Sequence, residues 1–164
     1  MGPKDVIRSV AKSNDFMVNA YLADFSDADL LVRPVREAHH VAWQLGHLIK
    51  SEQSLLKTAA PSAAPIELPA GWDKQYSPES GGASPPVGFA TKAEYLALYQ
   101  RSRANFLKAL DAASAADLEK PTQGRLAPIA PTIADMFILI ANHPMMHVGQ
   151  WVVVRRKLGK PVVI

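Results

Sequence analysis

The sequence predicts an all-α protein, a four-helix bundle with a long crossover loop between its second and third helices. Apolar residues recur at helical spacing in four long segments, capping residues mark helix starts, and no segment shows the convincing alternation of a β-strand. The 164 residues are 48% hydrophobic, which suits a single domain over positions 1–164 with a substantial core.

The first predicted helix covers positions 3–24 and begins with Pro3, a residue suited to the first helical position. A short turn follows at Ser26, where the sequence SDAD resembles a capping box with Asp29 in third place. The second helix is predicted over positions 37–60 and ends before a proline.

The third helix opens with TKAE, in which Thr91 caps the helix and Glu94 reaches back to the cap. Its predicted inner face carries Tyr95, Tyr99, Ser102, Phe106 and Leu110. The fourth helix has Thr132 as its N-cap, runs to about Leu158 and is ended by Gly159. Four amphipathic helices in one small domain predict a bundle.

The long connection over positions 61–90 contains six prolines and four glycines and is too long for a minimal loop. We expect a crossover strap that packs on the bundle. The functional alternative is a lid over a site, with Trp72 or Tyr76 close enough to touch a substrate.

The composition excludes several classes of site. There is no cysteine, so disulfides, thiolate metal ligands and cysteine nucleophiles are ruled out. The N-terminus lacks the apolar run of a signal peptide, and a soluble, cytoplasmic protein without a membrane span is expected. Basic residues cluster only at the end of the last helix, where the helix dipole favours cations, so nucleic-acid binding is not predicted.

The octapeptide HPMMHVGQ is the most informative segment, because His143 and His147 stand four residues apart in a predicted helix. Positions i and i+4 lie on one face, within bonding reach of a single ion. Both histidines fall on the apolar arc, where neutral imidazoles suit a divalent metal. Gln150, one turn further, is a candidate for orienting a ligand or substrate.

Two imidazoles make half a site, since a catalytic zinc usually has three protein ligands. The remaining histidines, at positions 39, 40 and 47, all lie in REAHHVAWQLGHLIKSEQ. His47 sits at the edge of the aliphatic stripe, which suits either a ligand or a half-exposed histidine. His40 is two turns away, about 10 Å along a helix, so it is at most a neighbour of the same site. Pro144 should bend the helix beside the pair.

Taken together, AWQLGHLIKSEQ and, about a hundred residues later, HPMMHVGQWVVVRRKLGKP resemble the DinB-like (DinB/YfiT) superfamily of metal-dependent enzymes. The resemblance implies a DinB-like four-helix bundle in which His47, His143 and His147 bind a divalent ion, zinc or nickel. It also implies a homodimer formed by helix packing. The resemblance does not supply a substrate, although the characterised relatives include enzymes that use low-molecular-weight thiols, and we expect a small molecule, with a thiol as the candidate.

We therefore expect a metal-dependent enzyme of the thiol S-transferase or hydrolase type. The alternative is a non-catalytic, metal-binding dimeric protein whose ion is structural. No spacing identifies a general base, and association with DNA is a weaker third reading. The last helix has apolar residues on nearly all sides, Ile138, Met145 and Val152 among them, which favours dimerisation.

Overall fold

The computed structural model describes residues 1–82 and 86–164, and its secondary structure over these ranges is helical apart from one isolated antiparallel bridge. The four long helices are α1 (Pro3–Leu22), α3 (Val41–Ala59), α5 (Lys92–Ala112) and α7 (Ile133–Lys157). The connections contain α2 (Asp27–Leu30), α4 (Trp72–Gln75), the 3₁₀ helix Pro78–Gly82 and α6 (Ala115–Glu119).

The long helices form the predicted bundle. α7 packs against both α1 and α3, and α3 also packs against α5. By length and composition α7 could cross a membrane, but 44% of its most apolar window is buried inside the bundle. A single helix of this kind is weak evidence for a membrane span, because bundle core helices pass the same test.

Local capping sets most helix starts where the sequence predicts them. Ser26, Thr91 and Thr132 each form a capping box with the acidic residue three positions later. The predicted start of the second long helix at position 37 is wrong. His40 keeps an extended backbone, and its Nδ1 accepts a hydrogen bond from the backbone N–H of Trp43 at 3.1 Å, so the helix begins at Val41.

The core consists of two clusters of buried side chains, one at each end of the bundle. The first contains the aromatic rings of Trp43, Trp72, Tyr76, Tyr95 and Trp151, and the second is built around Phe106 and Phe137. All five residues of the predicted inner face of the third helix are buried.

A layer of polar side chains lies between the two clusters. Arg103 of α5 pairs with Glu52 of α3 at 2.6 Å and with Asp15 of α1 at 2.8 Å. Glu52 also accepts a hydrogen bond from the Ser102 hydroxyl at 2.7 Å. Burial without such partners would be costly, so this network holds three of the long helices in register.

Pro144 lies in the same layer without ending α7. A proline has no N–H, so the carbonyl four residues earlier, that of Ile140, loses its helical partner. Nη1 of Arg103 lies 3.5 Å from that oxygen, and the adjacent carbonyl of Ala141 accepts from Asn14 at 2.9 Å. Polar side chains from α1 and α5 therefore compensate for the helix-breaking residue.

The described part of the 61–90 connection packs onto α3 as a crossover strap. Nε1 of Trp72 donates to the carbonyl of Gly46 at 3.1 Å, and Tyr76 shares a 2.5 Å hydrogen bond with Tyr95. A Cβ at position 46 would lie 2.1 Å from the Tyr76 ring, so only glycine permits this approach. Positions 83–85 of the connection lie outside the described residues.

The basic residues near the C-terminus take part in internal contacts. Arg155 is buried and pairs with Asp24 at 2.6 Å, a contact that lowers the pKa of the Asp24 carboxyl. Lys160 lies 3.5 Å from Asp29, and the Nζ of Lys157 donates to the carbonyl of Arg33 at 2.9 Å. Much of this cluster therefore stabilises the end of α7.

Candidate metal centre

The structure brings His47, His143 and His147 together in the polar layer. One ligand-type nitrogen from each ring lies within 4.8 Å of the others. The Nε2 atoms of His143 and His147 are 3.3 Å apart. Two nitrogens bound at about 2.0–2.1 Å to a tetrahedral ion are about 3.3–3.4 Å apart, so this pair has the spacing that such an ion requires.

The positions of the three rings follow from the packing of α3 on α7. His143 and His147 stand one turn apart, where the second core cluster gives way to the first. His47 faces them from α3, with ring centroids 5.6 Å from His143 and 5.5 Å from His147. His147 is buried, and the other two rings are partly accessible.

Gln44 fixes the protonation of the His147 ring. Its Nε2 donates to the carbonyl of His39 at 2.8 Å, which turns its Oε1 toward Nδ1 of His147 at 3.1 Å. That oxygen can only accept, so Nδ1 of His147 carries the proton. Nε2 of His147, the atom facing His143, is then unprotonated and has the free lone pair that a metal ligand needs.

Stacking holds the His47 ring in place. The Trp43 ring lies against it, with centroids 4.9 Å apart and planes 10° from parallel, and His39 stacks on the other face of Trp43 at 3.6 Å. Nε1 of Trp43 donates to the Ser80 hydroxyl at 3.2 Å, so the crossover strap supports the stack. Nε2 of His47 lies 3.2 Å from the Ser51 hydroxyl.

Burial keeps the three imidazoles neutral. Burial, together with the neighbouring imidazoles, lowers the pKa of His47 to about 4 and that of His147 to about 3. Burial also lowers the pKa of His143. Neutral imidazole is the form that binds a metal, so at neutral pH no proton has to leave before an ion enters.

A cavity of about 520 Å³ opens beside His47 and His143. Apolar side chains form much of its wall, namely Leu55, Leu126, Ile129, Leu139 and Met146. Polar groups come from Ser51, Ser54, Thr58 and Gln123. Arg125 is the one permanently charged side chain among the lining residues that the structure describes. A volume of this size suits a small organic molecule.

Comparison with known proteins agrees with this architecture. The model of the DinB superfamily matches residues 17–151, most of the chain and all three histidines. The chain belongs to the DinB superfamily. A crystal structure of a conserved protein from Enterococcus faecalis has the same fold, with a TM-score of 0.77 at 18% identity over 98% of this chain and 99% of that one. No curated protein matches the chain in sequence.

Three other candidate residues of this DinB-superfamily chain lie away from the cavity. His40 is fully buried as the cap of α3 and contacts Phe89 edge to face at 4.4 Å. Trp72 and Tyr76 are buried in the first core cluster behind α3 instead of lining the cavity. Their rings pack on Gly46, the residue before His47, and therefore contact a different face of α3 from the one that carries the histidine.

Gln150 differs from its predicted role in orienting a ligand or substrate. Its side chain is exposed, because position 150 falls at the edge of the histidine arc beside Met146 and Val153, which are also exposed. The glutamine that contacts a histidine is Gln44. Gln44 lies about one helical turn before His47, but a polar residue at that position is equally compatible with a solvated surface.

The loop that lines the cavity is formed by residues 121–132, whereas the candidate lid in the sequence was the 61–90 connection. Residues 121–132 form a compact loop whose ends are joined by a 2.8 Å hydrogen bond from the N–H of Thr122 to the carbonyl of Pro131. Ala130 anchors the loop in the second core cluster, while Leu126 and Ile129 cover the cavity. Its sequence signal was the presence of apolar residues in a segment with three prolines and one glycine.

Proposed function

We propose that this protein is a divalent-metal-dependent enzyme in which His47, His143 and His147 hold one zinc or nickel ion. The observation that carries the proposal is a juxtaposition: three ligand nitrogens within 4.8 Å of one another adjoin a cavity of about 520 Å³. The spacing of the histidine nitrogens, their neutral state and the Gln44 contact all fit a bound ion.

The size of the ligand set supports a catalytic role. Structural zinc sites are closed by four protein ligands, whereas catalytic sites keep a position open. Within the described ranges no fourth histidine or carboxylate joins the three-histidine group. Since His47 and His143 also line the cavity, the open position would face a bound small molecule.

A divalent ion held by neutral ligands keeps its full charge and lowers the pKa of a bound water or thiol toward neutrality. The chain's residues supply the surroundings for this chemistry. Gln44 holds the His147 ring, Trp43 holds the His47 ring, and apolar side chains form much of the adjoining cavity wall.

The cavity favours thiol S-transfer over hydrolysis. Its described lining contains no aspartate or glutamate to serve as a general base. A free thiol has a pKa of about 8.5, against about 15.7 for water, so a thiol needs far less help to lose its proton. In the transfer, that proton passes to solvent, and the sulfur forms a bond to an electrophilic carbon while the leaving group departs with the bonding electrons.

We also propose that two copies of the chain associate through α7. Ile138, Met145, Met146 and Val153 are 36–65% exposed and share one side of the helix. Val152, the third residue named from the sequence, is instead partly buried against the first core cluster. Exposed apolar side chains grouped on one side of a helix are typical of an interface, and a soluble cytoplasmic homodimer is the proposed state of the protein.

Turnover and thiol coordination test the enzymatic proposal together. The zinc- or nickel-loaded protein is assayed with a panel of low-molecular-weight thiols and electrophiles, and the cobalt-loaded protein is titrated with the same thiols. We expect a thiolate-to-metal absorption band with the natural chain and none with His143→Ala. Stoichiometric metal binding without thiol coordination or turnover would instead support the alternative, a non-catalytic metal-binding dimer with a structural ion.

A further inference from the structure

The cavity beside the histidines has an asymmetric distribution of charge. One side carries the rings of His47 and His143. The 121–132 loop contributes Arg125, the single permanently charged side chain among the described lining residues. Apolar side chains of α3, α7 and the loop form much of the remaining lining.

The placement of Arg125 depends on the loop's own geometry. Gly124 has a φ of +83°, a backbone conformation that favours glycine, and this turn directly precedes the arginine. Hydrogen bonds from Ala127 to Gly124 and from Ala130 to Leu126 then close the loop on itself. Arg125 is therefore carried at the exposed rim of the cavity by a locally constrained turn.

Arg125 has no acidic partner within residues 1–82 and 86–164, whereas Arg8, Arg103 and Arg155 are all engaged in ion pairs there. An arginine guanidinium presents a planar fork of donors that matches a carboxylate. Leu126 and Ile129 of the same loop also line the cavity, so the apolar body of a carboxylate bound at Arg125 would contact them.

We infer that Arg125 is the specificity-determining residue of an anion subsite, and that the substrate is a small organic molecule with an apolar body and a carboxylate. The carboxylate lies against Arg125 at the rim, the body contacts Leu126 and Ile129, and the reacting group points toward the histidines. The inference rests on the proposed function only for the end of the substrate that reacts at the histidines. The anion subsite itself is built from residues that hold no metal.

Octanoate and its uncharged analogue octanamide provide a matched pair of probes. Their binding to the full-length chain is measured by calorimetry at mildly alkaline pH, both with and without one equivalent of zinc. Changes in the methyl resonances of Leu126 and Ile129 on titration report whether the probe occupies this cavity. We expect octanoate to bind about tenfold more tightly than octanamide, the range of one charge-assisted contact.

Substitutions at position 125 decide the inference. Arg125→Gln should abolish the preference for octanoate with little change for octanamide, and Arg125→Glu should reverse it. Arg101→Gln, at an exposed arginine of α5 outside the cavity, should leave the preference intact. Equal binding of the two probes, binding of neither, or a preference that survives Arg125→Gln would overturn the inference. Failure to bind zinc would count against the proposed function alone, because the titration without metal still measures binding of the two probes at the anion subsite.

Discussion

The side-chain oxygen of Gln44 lies 3.1 Å from Nδ1 of His147 and 2.9 Å from Nε1 of Trp151, so one buried amide on α3 positions two rings of α7. The side-chain nitrogen of the same glutamine donates a hydrogen bond to the carbonyl of His39. The orientation of a proposed metal ligand therefore depends on a residue from another helix, 103 positions earlier in the chain.

Replacing Gln44 should weaken metal binding without removing a ligand. Gln44→Met keeps the side-chain volume but deletes the acceptor, so the His147 ring is free to rotate and change tautomer. We expect zinc affinity to fall about 10- to 100-fold, measured by competition with a chromophoric chelator. Gln150→Met, at the exposed glutamine of α7, is the control and should bind like the natural chain. Unchanged affinity in Gln44→Met would show that the contact does not orient the ligand.

The stability of the metal-free protein should fall as the pH drops from about 6.5 to 4, and His40 should contribute to that fall. Burial lowers the pKa of His40 from 6.5 to about 4, and its Nδ1 must stay unprotonated to cap α3. In this window the unfolded chain binds a proton that the folded chain excludes, so the free energy of unfolding decreases with falling pH.

His40→Asn isolates this contribution, because asparagine also caps helices but does not titrate. Urea denaturation across the window should give a shallower pH dependence for the variant, by up to about 1.4 kcal/mol per pH unit. Identical slopes for the two proteins would contradict the assignment of His40 as a buried, neutral cap.

Gly46→Ala should destabilise the bundle. The added Cβ would lie 2.1 Å from the Tyr76 ring, so the crossover strap must move away from α3. Overpacking of this kind costs about 1–3 kcal/mol, measurable by thermal or chemical denaturation. Gly149→Ala is a matched control, because its Cβ meets nothing within 4 Å and alanine favours a helix by about 1 kcal/mol. Equal stability of the two variants would show that the strap does not pack on Gly46.

Sedimentation tests the proposed dimer. At micromolar concentration the natural chain should sediment at twice its mass of 17.8 kDa. Met145→Glu places a charge in the exposed stripe of α7 and should give a monomer, whereas Val163→Glu, in the exposed C-terminal tail, should remain dimeric. A monomeric natural chain would rule out association through α7 under these conditions.

Local sequence was sufficient for the features that depend on local contacts. The capping boxes at Ser26 and Thr91 and the N-cap at Thr132 involve residues three apart, and the His143–His147 pair follows from one helical turn. These features were predicted because neighbouring residues alone determine them.

Features that depend on tertiary packing were not predicted. The start of α3 at Val41 was also missed although its cap is local, because histidine is not among the preferred N-cap residues. The loop over residues 121–132 covers the cavity because its ends are joined and Ala130 is buried, and neither is visible in its composition. The contact between Gln44 and His147 likewise requires knowledge of how α3 faces α7.

Metal stoichiometry is the most direct test of the three-histidine site. Elemental analysis after equilibration with zinc should give one ion per chain for the natural protein and for His40→Asn. His47→Ala, His143→Ala and His147→Ala should each retain almost none, because two imidazoles hold an ion weakly while all three variants keep the rest of the bundle. One full equivalent of zinc in any of the three alanine variants, or a loss in His40→Asn equal to that in His47→Ala, would contradict the assignment.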